Sequence, residues 1–310
     1  MLILAYVPSD SLTPSLRIPS AGLSLAADTF GQPTDPPVVL LHGGGQTRHS
    51  WRRTARRLAD EGWYALSVDL RGHGDSGWSP DGDYSFDRFT DDVQAVRAVL
   101  DQPPVFVGAS LGGISALSAL GRDTGIARGL VLVDVSPFLQ RGGTGRITEF
   151  MQAAPNGFGS LEEAADAVSA YLPHRERPRD VSGLRKNLRE ADGRWFWHWD
   201  PVFVFPPANH APHRRLGRPS EQSLSRVAAT LRLPTLLVRG GQSDVLSRED
   251  ARRFLDLVPH ADYCDVVGAH HMVTGDDNAV FDERIIEFLR HRVRPRLELT
   301  LALGQVSETV

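Results

Sequence analysis

Lysine is almost absent from this chain of 310 residues. Of its 34 basic side chains all but Lys186 are arginines, so a lysine Schiff base or a P-loop phosphate grip would have to use that one amine. Cysteine is equally scarce. Cys264 stands alone, which excludes an intrachain disulfide and a multi-cysteine metal site. No stretch approaches the roughly 20 apolar residues that a membrane helix needs. A positive surplus is missing too: 34 basic against 38 acidic side chains give a formal net charge of -4, which argues against a dedicated nucleic-acid binder. The apolar start, Met1 to Val7, lacks a positive n-region and is cut short by Pro8, so no signal peptide is expected. These absences predict a soluble cytoplasmic protein with a small-molecule substrate and no nucleic-acid or membrane partner. No metal and no cofactor are expected, and homo-oligomerisation is left open.

What is present is an alternation. Hydrophobic residues make up 41% of the chain, enough for a sizeable core. Short apolar runs read as buried strands: 38–41, Tyr64–Val68, 104–108, Gly129–Val133, 236–238 and 263–267. Helical patterns lie between them, around Trp51 to Leu58, from Phe86 to Leu100 and from Leu111 to Leu120. Strands this uniformly apolar belong in a parallel sheet covered on both faces. The fold class predicted is α/β, doubly wound.

One region breaks the rhythm. Between about Phe138 and about Arg226 no strand run stands out, and a helical cap inserted between two sheet strands is predicted there. The division is then a core domain of residues 1–137 and 227–310 and a cap of residues 138–226. The cap holds a run from His174 to Arg194 with seven Arg or Lys against four Asp or Glu, read as a solvated helical face rather than a phosphate site. Trp195, Phe196, Trp197 and Trp199 follow, to line an apolar substrate pocket or to pack the cap's own core. The tail after Arg292 is expected to be an extra strand or a loose end.

The chemistry points to Gly108-Ala109-Ser110-Leu111-Gly112. It fits G-x-S-x-G, with a strand before it and a helix after it. A turn this sharp strains the middle residue and leaves no room for side chains two positions away. Ser110 is the candidate nucleophile, and a serine hydroxyl needs a base. Among eleven histidines, His270 and His271 follow the last strand run, at the sheet edge where Ser110 emerges. The base needs a carboxylate to hold its tautomer. Asp244, after the strand ending at Arg239, is the expected acid, and Asp134, at the end of an earlier strand, is the alternative. An oxyanion hole of two backbone N–H groups is expected from Leu111 and from the run His42-Gly43-Gly44-Gly45, with Gly44 first choice and Gly45 second.

His42 to Gly45, Asp69-Leu70-Arg71-Gly72-His73-Gly74-Asp75-Ser76, Gly108 to Gly113, Ser243-Asp244 and Gly268 to Met272 together resemble the α/β-hydrolase superfamily. The likeness is to its cap-bearing branch of esterases, epoxide hydrolase-like proteins and cofactor-free haloperoxidases, and it runs from about Arg17 to His291. It implies an eight-stranded sheet, a helical cap after the sixth strand and His271 as the base, with His270 in the place of a glycine. Epoxide hydrolases and haloalkane dehalogenases carry Asp at the nucleophile position. Ser110 instead favours attack on a carbonyl, so the resemblance implies a serine hydrolase of a carboxylic ester, thioester or lactone with a small apolar substrate. Carbon–carbon (β-diketone) hydrolysis and perhydrolysis could use the same triad, and a ligand receptor with little turnover could keep the same fold.

Overall fold

The computed structural model describes residues 13–299 apart from 174, 178, 208–216, 218 and 272–278. An eight-stranded sheet forms its centre. Along the chain come β1 (Leu16–Ser20), β2 (Leu23–Phe30), β3 (Pro37–Leu41), α1 (Arg52–Asp60), β4 (Tyr64–Val68), α2 (Phe86–Ala98), β5 (Val105–Ala109), α3 (Leu111–Arg122) and β6 (Gly129–Val133). After an insertion the core resumes with α7 (Glu221–Thr230), β9 (Thr235–Gly240), α8 (Arg248–Leu257), β10 (Asp262–Val266) and α9 (Ala279–Phe288). The strand order is β1-β2-β4-β3-β5-β6-β9-β10. β2 pairs antiparallel with β1 and with β4, and every other pairing is parallel.

Alternation of side chains explains why the central strands are apolar throughout. Val39, Leu41, Phe106, Leu130 and Leu132 face one layer, with Phe89 of α2, Leu117 of α3 and Phe254 of α8. Val38, Leu40, Val107, Val131 and Val133 face the other, with Leu58 of α1 and Ile285 of α9. Both faces are dry, so neither can carry a polar alternation. β1 and β2 carry no uniformly apolar run. β1 is an edge strand whose residues alternate between buried and exposed, and β2 holds two alanines and Asp28.

The insertion after the sixth strand is less helical than expected. It contains α4 (Arg141–Gln152), α5 (Leu161–Tyr171), an antiparallel hairpin of β7 (Leu188–Ala191) and β8 (Arg194–Trp197), and the short α6 (Pro201–Val204). The hairpin turns on Asp192 and Gly193, both at positive φ (51° and 70°). A two-residue Asp-Gly loop is the type I′ signal, and it was present in the sequence. Much of the expected solvated helix is therefore a short 3₁₀ helix, Ser182–Asn187, and a β-ribbon. The insertion has its own apolar centre of Met151, Phe158, Ala164, Leu188, Trp197 and Trp199. The expected boundary at 226 falls inside α7, whose Leu224 and Ala228 pack in the core of the sheet. The chain after Arg292 is helical through residue 299, not a strand, and buries Val293 and Leu297 against the sheet. Among the described residues no helix is long and apolar enough to cross a membrane.

A buried ionic cluster ties the loops at the carboxyl edge of the sheet. Arg48, just after the glycine loop of β3, contacts Asp28 at 3.0 Å, Asp69 at 2.5 Å and Asp75 at 2.7 Å. The Asp69 carboxylate also accepts from the backbone N–H groups of Arg48 and Asp75. Removing one partner of such a cluster leaves buried charges uncompensated. Arg48→Met is therefore expected to lower unfolding stability by about 3–5 kcal/mol, read as a lower midpoint in urea at an unchanged m-value.

Candidate active site

Ser110 stands between β5 and α3 at φ 44° and ψ -110°, a conformation rare for a residue with a side chain. The crowding that forces this turn is visible in its glycines. A Cβ on Gly108 would lie 2.5 Å from Gly113 Cα, and one on Gly112 would lie 2.6 Å from the Leu41 carbonyl oxygen. The Ser110 N–H donates to the Val133 carbonyl (3.3 Å), which places the serine beside the end of β6.

The residue after Val133 is Asp134, also at positive φ (50°) and fully buried. Its Oδ1 accepts from the Gly240 N–H at 2.9 Å. Its Oδ2 accepts from the Ser243 hydroxyl at 2.5 Å and from His271 Nδ1 at 2.6 Å. The carboxylate–imidazole pair that the sequence pattern called for is therefore present, with its acid directly after β6. This corrects the expectation for Asp244. The Asp244 side chain is 46% exposed and bonds Arg146 of α4 at 3.0 Å, because the loop after β9 turns Ser243 inward and the next residue outward. Ser110 and His271 lie at the same edge of the sheet, each bonded to one member of the pair Val133-Asp134, but no hydrogen bond joins their side chains.

Hydrogen-bond accounting separates the three glycines of the oxyanion loop. The Gly43 N–H donates to the Gln46 side chain at 2.9 Å, and the Gly45 N–H donates to His73 Nε2 at 3.2 Å. Among the described residues the N–H groups of Gly44 and Leu111 have no acceptor, while that of Gly112 bonds the His42 carbonyl at 3.1 Å. Ser110 Cβ lies 3.4 Å from where a Cβ on Gly43 would stand, so the glycine loop flanks the nucleophile. Gln46 was not singled out from the sequence, although a polar side chain three residues past Gly43 suits a backbone cap.

Beneath this loop three imidazoles cluster with tilted planes. His42 and His73 have ring centroids 5.2 Å apart, and His73 and His198 5.8 Å. His42 Nε2 accepts from the Leu70 N–H while its Nδ1 faces the Gly43 carbonyl, so the ring must be a neutral tautomer protonated at Nδ1. His73 is arranged alike, between the Arg71 carbonyl and the Gly45 N–H. Burial holds His42 down at about 4 and His73 at about 3, the latter helped by the neighbouring His42.

Of the tryptophans offered as substrate contacts, Trp197 and Trp199 stack on each other (5.0 Å between centroids, 16° between planes) within the insertion's core. Trp195 sits in the hairpin with the Arg185 guanidinium over its ring. Trp199 does reach the oxyanion loop: its ring carbon is 3.5 Å from a Cβ position on Gly45, and Met151 Sδ is 3.4 Å from it. The cleft that opens onto His271, about 200 Å³ in volume, is lined instead by Arg146, Ile147, Tyr171, Leu172, Asp244 and His270 among others.

Fold and site together define an α/β hydrolase. The family model described as the alpha/beta hydrolase fold matches residues 36–277, and the chain belongs to that family of hydrolase enzymes. Among curated proteins it is similar to Esterase Rv0045c of Mycobacterium tuberculosis, 33% identical over 222 residues that cover 69% of each chain. It is also similar to the 3-hydroxybutyrate-oligomer hydrolase of Cupriavidus necator, 27% identical over 273 residues covering 84% of this chain and 92% of that one. The crystal structure of the Mycobacterium tuberculosis esterase superposes with a TM-score of 0.68 at 29% identity, covering 89% of this chain and 90% of that one.

The neutral histidines carry a pH dependence. In the unfolded chain they take up protons near pH 6.5, whereas the folded state resists until about pH 4 for His42 and about pH 3 for His73. The unfolded state therefore binds more protons below pH 6.5, and stability falls as pH falls. The thermal midpoint is expected to decline steadily from pH 7 to pH 4; a flat profile over that range would show that these rings are not held neutral.

Proposed function

We propose that the protein is a serine esterase that cleaves a carboxylic ester, thioester or lactone of a small substrate through an acyl-enzyme on Ser110. The observation that carries this reading is the Asp134–His271 bond of 2.6 Å, beside a serine held on a strained elbow. Donation of the Nδ1 proton to Asp134 leaves Nε2 as the basic nitrogen. His271 Nε2 then takes the hydroxyl proton as Ser110 Oγ bonds the carbonyl carbon, and the carbonyl electron pair moves onto its oxygen. The N–H groups of Gly44 and Leu111, which lack acceptors among the described residues, receive that charge. Collapse breaks the bond to the leaving alcohol or thiol, which departs with the proton from His271. Water, deprotonated by the same nitrogen, attacks the acyl carbon; the acid leaves and Ser110 regains its proton.

The roles differ from the first expectation in one residue. Asp134 orients the base, with Ser243 fixing the carboxylate, and Asp244 does not. The described residues between β6 and α7 act as a cap, since Met151 and Trp199 lie over Gly44 and Gly45.

Turnover of p-nitrophenyl butyrate tests the assignment. Ser110→Ala is expected to lower kcat by about 10⁴- to 10⁶-fold. Asp134→Asn is expected to cost about 10⁴-fold, because the amide stabilises the wrong tautomer. Asp244→Asn, which removes a carboxylate that the base does not touch, is expected to cost less than about ten-fold. The reverse ranking of the two aspartates would return the acid to the loop after β9, and near-normal turnover by Ser110→Ala would remove the mechanism.

A further inference from the structure

The cleft on His271 contains one guanidinium, and its placement is unusual for a surface arginine. Arg146 lies one turn after Gly143 on α4, so the two share a helix face. At Gly143 the helix touches the loop after β9 so closely that any Cβ would collide with the Asp244 carbonyl oxygen and lie 2.7 Å from Val245 Cγ2. That loop is bound in turn to Asp134 through Ser243. Arg146 is thus carried on a contact that is continuous with the buried acid of the site, although its own side chain is 58% exposed.

The guanidinium is under-used. It presents five N–H donors, and among the described residues it makes a single bond, from one terminal nitrogen to Asp244 Oδ2 at 3.0 Å. With 58% and 46% of the two side chains exposed, that ion pair has little stabilising value of its own. Its remaining donors form the planar fork that takes a carboxylate through two parallel bonds. The rest of the cleft wall, Ile147, Leu172 and Pro173 with the Tyr171 ring, is mostly apolar. A chain of a few carbons ending in a carboxylate matches that combination: methylenes along the apolar wall and the charge on Arg146.

We infer that Arg146 is a substrate-binding residue that selects esters carrying a carboxylate, with Asp244 as the competing internal anion that holds the guanidinium until such a substrate arrives. The inference rests on the esterase reading above and gives its substrate class: a half-ester or an equivalent anionic acyl compound. Asp244 then sets the threshold of selection. An incoming carboxylate must displace it or share the guanidinium with it, and a neutral ester gains nothing at that position.

The test compares kcat/KM for p-nitrophenyl butyrate with that for the mono-p-nitrophenyl esters of succinic, glutaric and adipic acids, as the ratio of each anionic substrate to the neutral one. The wild-type ratio is expected to exceed one for at least one chain length. Arg146→Gln is expected to lower it ten-fold or more, mainly through KM, and Arg146→Lys to restore part of it. Asp244→Asn is expected to raise the ratio several-fold, a change of opposite sign that loss of packing would not produce. The inference is overturned if the wild type prefers the neutral ester at every chain length, or if Asp244→Asn lowers the ratio as Arg146→Gln does. An enzyme that hydrolyses the butyrate ester but shows no anionic preference leaves the esterase reading standing and removes only this inference. Failure to hydrolyse any of the four removes both.

Discussion

A single buried carboxylate holds the candidate active site together. Asp134 accepts one hydrogen bond from the backbone at the end of β9, one from the Ser243 hydroxyl and one from His271 after β10. Loops leaving three adjacent strands are thereby gathered on two oxygen atoms. The order β5-β6-β9-β10 makes this possible, because it puts Ser110, Asp134, Ser243 and His271 at the ends of consecutive neighbours in the sheet. With no solvent at Asp134 and three donors on it, the carboxylate is fixed before any substrate arrives. The strained φ of both Ser110 and Asp134 is held in place by the same packing.

Much of this was legible in the residues, and the exceptions have physical causes. The apolar runs of β3 to β6 were readable because both faces of those strands are dry. Ser110 was readable because its turn demands glycine at flanking positions, and sequence records that demand directly. The choice between Asp134 and Asp244 was not, since both follow a buried strand at the same edge and the decision lies in a loop that turns one residue inward and the next outward. The hairpin β7–β8 announced itself only through Asp192-Gly193, inside a run whose charges suggested a solvated helix. The pairing of Arg146 with Asp244 joins residues 98 positions apart and left no local trace.

The polar layer beneath the glycine loop shows how charge and neutrality are divided over a short distance. Arg48 is surrounded by three carboxylates, while His42, His73 and His198, packed nearby, are kept uncharged by burial. Each kind of group holds backbone: the Asp69 carboxylate binds the N–H groups of Arg48 and Asp75, and the imidazoles bind those of Leu70, Gly45 and Gly74. Gly44 is left as the member of the glycine run with a free donor because its neighbours on both sides are already engaged.

The contact of Trp197 with Trp199 has an optical consequence. Two indoles stacked 5.0 Å apart and nearly parallel share their excited states, and so do not absorb as independent chromophores. These two belong to the insertion, whereas Trp51 and Trp63 are buried against the sheet. Near-ultraviolet circular dichroism of this chain therefore contains a band from the region above the serine, distinct from the signal of the sheet, and motion of that region can be followed without attaching any label.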